Sequence, residues 1–314
     1  MKQLLLTSII VLSFYSYCFS QSTLEVKYDT DAKGNYSFYC NNNDFCNYIL
    51  TLDFSGSLNI KTFVFLPYQV VVKPGRTNLL TVQPENPGNS VSLRYSYNFQ
   101  KGCLNPKVNP DFIYLMPVGK GKESEVFELS FLKINTKDPL PKDFYVVGFK
   151  MKYQDTVYAA RRGVVTDTRD AAKLQLTGYT YSSDDNFIEI YHDDCTFGKY
   201  QVFSKIFVSP GQKVEAGEPI GLAGGDKYTS GPHVRFSVYY NFEQEPVDKN
   251  KNGTVQKKYW AYVPLVFCTT EAHKTKLVKG KLYTGDYPYD VITQEMTKNQ
   301  IKKWEKDKTK SIKK

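Results

Sequence analysis

The sequence predicts an all-β chain of two domains, an N-terminal immunoglobulin-like β-sandwich followed by a second β-rich domain. Three observations predict it. Short apolar runs alternate with polar residues and are separated by Gly, Pro, Asn, Asp and Ser turns, from about Ser22 to Val118 and again from about Tyr145. No segment before Val118 carries a helical period. A chain of 314 residues that is 41% hydrophobic and 15% aromatic can fill two packed cores, which sets disorder aside.

The elements follow in chain order. Residues 1–20 form a short basic start, an apolar run from Leu4 to Phe14 and a small residue before Gln21, the build of a cleavable secretory signal. The apolar run is shorter than the roughly 20 residues that cross a bilayer. The chain is therefore expected to be exported, to the periplasm or the extracellular space, after cleavage near Ser20. Cys18 lacks a small-residue lipoprotein box before it.

Residues 21–118 are the predicted sandwich. Val91, Leu93, Tyr95, Tyr97 and Phe99 alternate with Ser92, Arg94, Ser96 and Asn98, a strand with one wet face, and KTFVFLPYQVVVKPGRTNLLTV reads as two strands around a Lys73–Arg76 turn. Its expected role is binding or spacing. Residues 119–144, rich in Gly, Pro and charge, are the expected linker. From Tyr145, the segments VYAARRGVV, NFIEIYH, YQVFSKIFV and HVRFSVYY read as strands, and Glu243–Cys268 as a closing hairpin turning at Asn250–Gly253.

Residues 269–314 are an expected basic tail, ending KNQIKKWEKDKTKSIKK, either a solvated helical end or an electrostatic tether. For an exported chain of net charge +9, acidic wall polymers, lipid headgroups or colloidal solubility explain the excess better than nucleic acid. Five cysteines follow the signal, and Cys40 with Cys46 around the NNNDF turn is the expected local disulfide. No CxxC spacing is present and no histidine precedes residue 192, which argues against a zinc cluster.

The chemistry is concentrated in Ile206–Tyr240, IFVSPGQKVEAGEPIGLAGGDKYTSGPHVRFSVYY. The pattern VxxGxxVxxGxxIG followed by SGPHxxF closely resembles the lysostaphin-like peptidoglycan endopeptidases, whose second motif runs GPHxHF. The resemblance covers about Tyr145 to Phe242. It implies a β-barrel built from a duplicated hybrid motif and a mononuclear zinc hydrolase. In that family one histidine and one aspartate of an early motif and the last histidine of HxH hold the metal, while two further histidines assist the water. Zinc takes such nitrogen and oxygen ligands tetrahedrally and leaves one position for a water whose pKa it lowers.

Carried over residue by residue, the resemblance implies a degenerate site. YVVGFKMKYQDTVYAARRG places Gly148 at the aspartate, and no histidine lies upstream to supply the first ligand. Counting back from Gly211 places Val202 at the histidine of YxHL, next to Tyr200 and Gln201. The last histidine of HxH is Arg235, which keeps its proton, offers donors and no lone pair, and repels a cation. His233 alone matches a functional position. The glycines at 211, 217, 221, 224 and 231 are all present, as tight turns of positive φ require. His192 reads as a strand-end residue and His273 as a surface one, and the spacing of the three histidines predicts no convergence with Asp193 or Asp194 on zinc.

These residues imply an exported pseudopeptidase with no metal cofactor, which binds a wall-derived peptide or regulates a wall hydrolase, as degenerate members of the family do. Arg235 and Tyr200 are its candidate binding residues. Two readings of Arg235 stay open: it grips a ligand carboxylate, or it pairs internally with an acid such as Glu189. The alternative is an active zinc endopeptidase cleaving peptidoglycan cross-links with an unusual ligand set. A carrier domain modified on lysine, to which Lys150-Met151-Lys152 bears a superficial likeness, is disfavoured by the KMK order, the export signal and SGPHxxF.

Overall fold

The structure is a computed structural model and describes residues 23–128, 143–171, 178, 182, 185–242 and 260–312. The expected signal peptide and the Asn250–Gly253 turn lie outside the described residues. Strands β1 (Leu24–Thr30), β2 (Tyr36–Asn42), β3 (Tyr48–Asp53), β4 (Ile60–Lys61), β5 (Tyr68–Val72), β6 (Gly75–Pro84) and β7 (Ser96–Lys101) make two antiparallel sheets, ordered β1-β2-β6-β4 and β5-β3-β7. Alternate residues of each, Leu24, Val26, Phe38 and Cys40 on one side and Tyr48, Leu50 and Leu52 on the other, enclose a common core.

Two expectations fail here. Val91–Tyr95 is not strand, because the chain is crossing from the sheet of β6 to that of β7, and only Ser92 makes an isolated bridge, to Leu58. Cys40 and Cys46 are buried free thiols. Cys40 lies on β2 and Cys46 leads into β3, so the NNNDF turn carries them to different sheets. The disulfide joins Cys103 to Cys195 instead.

The second unit holds β8 (Ile113–Leu115), β9 (Glu123–Glu128), β10 (Val147–Lys150), β11 (Thr156–Tyr158), β12 (Gly163–Arg169), β13 (Phe187–Tyr191) and β14 (Phe197–Gln201). It continues with β15 (Phe203–Ile206), β16 (Lys213–Val214), β17 (Pro219–Ala223), β18 (His233–Asn241), β19 (Trp260–Tyr262), β20 (Val266–Cys268) and β21 (Leu282–Thr284). A large sheet runs β16-β12-β13-β14-β18-β10-β9-β21 with β19 also on β18, and a small one runs β11-β17-β15. Between them lie Phe149, Ile188, Ile190, Ile220, Val234 and Phe236. Each such buried side chain contributes about 1.5–3 kcal/mol.

The sheet pairings redraw the expected boundaries. Glu123–Glu128, inside the expected linker, is a strand between β10 and β21. On either side of the expected Asn250–Gly253 turn, β18 and β19 pair antiparallel, while β20 runs parallel to β8 and does not extend the hairpin to Cys268. YQVFSKIFV is broken at Val202, whose φ of 76° turns the chain from the large sheet into the small one. Of the motif glycines, 221 and 224 have no positive φ; a Cβ on Gly221 would come within 2.5 Å of the Lys205 carbonyl, so close approach explains that glycine.

The expected tail is ordered and packed. Strand β21, α1 (Tyr289–Thr293) and α2 (Lys298–Ile312) follow one another, and Thr297 and Gln300 form a reciprocal capping box at the start of α2, with bonds of 2.8 and 3.3 Å. Val291, Ile292 and Trp304 pack with Leu115, Ala216 and Cys268. Arg161, 2% exposed, pairs with Asp194 at 2.9 Å and Glu295 at 2.5 Å and lies over the Phe112 ring, clamping this segment to β13 and β8. The two units are joined by the disulfide, by a Lys101–Glu189 ion pair of 2.8 Å, and by Phe45 packed on Gly211.

Candidate functional site

The site is built on a row of facing residues across four strands: Phe127 on β9, Gly148 on β10, Arg235 on β18 and Gln201 on β14. Side chains of facing residues share one side of a sheet, so whatever stands at 148 meets Arg235 on one flank and Phe127 on the other. Because Gly148 has no side chain, the Phe127 ring lies over it. A Cβ there would come within 2.3 Å of the ring, and the ring meets His233 edge-on at 5.2 Å between centroids.

His233 and Arg235, two apart on β18, project to this same side, as the strand period requires. His233 is fully buried and Arg235 is 1% exposed. The guanidinium is committed within the protein: Nη1 donates to Asp185 Oδ2 at 3.1 Å and Nε donates to His233 Nε2 at 3.1 Å. Tyr228 donates its hydroxyl to the other Asp185 oxygen at 2.5 Å, and its ring lies 4.8 Å from the guanidinium carbon. On the far side of the imidazole, Nδ1 donates to the Gly231 carbonyl at 2.6 Å. Burial drives the His233 pKa down to about 4, and the charges of Arg235 and Lys150 push the same way. The neutral Nδ1–H tautomer follows, with the Nε2 lone pair occupied by arginine.

Beside this cluster opens a cavity of about 270 Å³ lined by Tyr153, Asp185, Val202, Ser204, Lys227 and Tyr228. Arg235 does not line it. Of the two readings of Arg235, the internal pair is the one formed, and its acid is Asp185. Glu189 instead meets Lys101, Thr166 and Tyr239. Tyr200 is also misplaced by the expectation: it faces Phe236, the neighbour of Arg235 in β18, and so points to the opposite side of the sheet. It is fully buried, with its hydroxyl accepting the Ala160 N–H at 2.8 Å.

Val202 is 3% exposed and lies at the wall of the cavity. His192 is buried elsewhere, 2.7 Å from the Arg162 carbonyl, and His273 pairs with Asp290 at 3.0 Å. Asp185, Tyr228 and Phe127 were missed in the sequence. Asp185 had a signal, since an arginine on a strand buried on both faces requires an acid.

Residues 145–249 match the family model described as Peptidase family M23. This segment is an M23 peptidase domain. Over 90 residues the chain is 33% identical to the peptidoglycan DD-endopeptidase ShyA of Vibrio cholerae, covering 29% of this chain and 19% of that protein. Over 54 residues it is 39% identical to an uncharacterized metalloprotease of Buchnera aphidicola, covering 17% of this chain and 14% of the relative. The chain thus spans less than a fifth of the length of these curated relatives. Among solved structures, the catalytic domain of lysostaphin from Staphylococcus simulans is 23% identical, with 41% of this chain and 94% of that one covered and a TM-score of 0.26. The M23 metalloprotease pseudoalterin is 16% identical, with 56% and 96% covered and a TM-score of 0.31.

M23 domains ordinarily use zinc, and the residues of this M23 site do not fit it. Both imidazole nitrogens of His233 are hydrogen-bonded, a guanidinium occupies the next position on the strand face, and an aromatic ring covers Gly148. Among the described residues no three His, Cys, Asp or Glu side chains are grouped to hold a metal ion.

Proposed function

We propose that this chain is an exported pseudopeptidase: its M23 domain binds without hydrolysing, and its ligand is a wall-derived peptide or a wall-remodelling enzyme. The observation that supports this most directly is the Asp185–Arg235–His233 chain of contacts, which puts a permanent cation where the fold's chemistry needs a lone pair and consumes the lone pair that remains. The peptidoglycan part of the reading is drawn from the named activity of the Vibrio cholerae relative. With Arg235 enclosed, a ligand meets the cavity beside Asp185 and Tyr228.

The test is elemental analysis of the purified protein after dialysis against zinc, together with incubation on muropeptides and sedimentation with purified peptidoglycan. Substoichiometric zinc, intact muropeptides and retention on peptidoglycan or on a wall hydrolase are the expected results. One tightly held zinc per chain with muropeptide cleavage overturns the proposal.

A further inference from the structure

Helix α2 carries six lysines against Glu305 and Asp307, and their arrangement is directional. At about 3.6 residues per turn, Lys298, Lys302 and Lys306 follow one another up a single line, and Lys303 flanks it. Ile301 and Trp304 fall on the opposite side. There Trp304 joins the cluster of Leu115 and Ile292 and takes Lys308 over its ring at 4.0 Å. The helix is thus held by its apolar edge and turns four exposed lysines away from the body.

The two acids of the helix do not form ion pairs with these four lysines. Among the described residues no acid pairs with Lys298, Lys302, Lys303 or Lys306, and Glu305 accepts the Tyr289 hydroxyl at 2.6 Å. The pattern opposes the helix that bears it: like charges four apart repel, and the first turn holds Lys298 and no acid, against the macrodipole. The helix forms because its cap and Trp304 hold it. Lysine rather than arginine throughout gives rotatable, hydrated point charges, suited to charge density and not to a planar shape. Among the described side chains of α2 the outward face is polar, since Trp304 is packed against the protein and Ile301 is half-buried, which disfavours insertion into a bilayer.

We propose that the outward face of α2 is a docking strip for a linear phosphate-bearing polymer, bound through Lys298, Lys302, Lys303 and Lys306 by counterion release. This site is separate from the M23 cavity and does not depend on how that cavity functions.

The experiment measures binding of the full chain to labelled inorganic polyphosphate as a function of salt, with polyglutamate and anionic-lipid vesicles as further arms. Substituting Lys298, Lys302, Lys303 and Lys306 with Gln is expected to weaken polyphosphate binding by about tenfold or more and to flatten the log–log salt dependence by about 3, at roughly 0.7 per phosphate contact. A control with the same loss of charge elsewhere, at Lys33, Lys73, Lys205 and Lys281, is expected to keep affinity within about threefold. Trp304 emission reports whether α2 stays docked. If it does not, Lys→Arg at the four positions is used, and retained binding is expected. Equal weakening by both quadruple variants, unchanged binding in the α2 variant, tighter binding to polyglutamate, or binding to vesicles alone overturns the proposal.

Discussion

At residue 235 an arginine is sealed inside a sheet, and its stability contribution depends on which partner is removed. Asp185→Ala leaves a buried guanidinium without its carboxylate and is expected to cost about 3–5 kcal/mol in chemical denaturation. Asp185→Ala with Arg235→Met is expected to recover much of that, a coupling visible only in a double-mutant cycle. His233 adds a pH signature. Its folded pKa of about 4 lies below the usual histidine value, so the unfolded chain binds the proton first. Stability is therefore full above about pH 6.5 and falls as pH drops from there toward 4. Buried His192, depressed to about 3, acts in the same sense, so His233→Gln is expected to remove part of the slope in pH-dependent unfolding and leave the rest. That 148, 202 and 235 carry glycine, valine and arginine where the lysostaphin-like pattern has ligand side chains was legible in the sequence only through that resemblance. Asp185 and Tyr228 were not, because Asp185 reaches Arg235 from a distant segment and Tyr228 from the turn before β18, and strand periodicity says nothing about what crosses over a sheet.

Among the elements, the strands were the readable part, since alternation reports a half-buried pleat directly. Misreadings came where a strand ends for a tertiary reason: Val202 breaks one apolar run in two, and β9 hides in a charged segment because its register is set by β10 and β21. Helix α2 was obscured by lysines, although Thr297 and Gln300 carried a start signal. That helix depends on a few anchors. Trp304→Ala is expected to undock α2 while the sheets persist, seen as fast amide exchange and early proteolysis confined to residues 294–312. Protection of α2 equal to that of the wild type would show that the capping box and the Arg161–Glu295 pair suffice.

For the whole molecule, the Cys103–Cys195 bond matters most, because it closes a separation of 92 residues between the N-terminal sheets and the M23 domain. Loop closure of that length stabilises by about 4.6 kcal/mol in the chain-entropy model. Cys103→Ser with Cys195→Ser is expected to lower the unfolding free energy by about that amount, and equal stability with and without reductant would refute the estimate. This bond was not foreseen, since pairing across domains leaves no local trace. The ring of Phe127 over Gly148 bears on descent. A lineage placing an aspartate at 148 must first evict an aromatic group carried by a different strand, because a Cβ there meets the Phe127 ring. A side chain at 148 is thus reached only by paired changes on β9 and β10, a coupling that single substitutions cannot resolve.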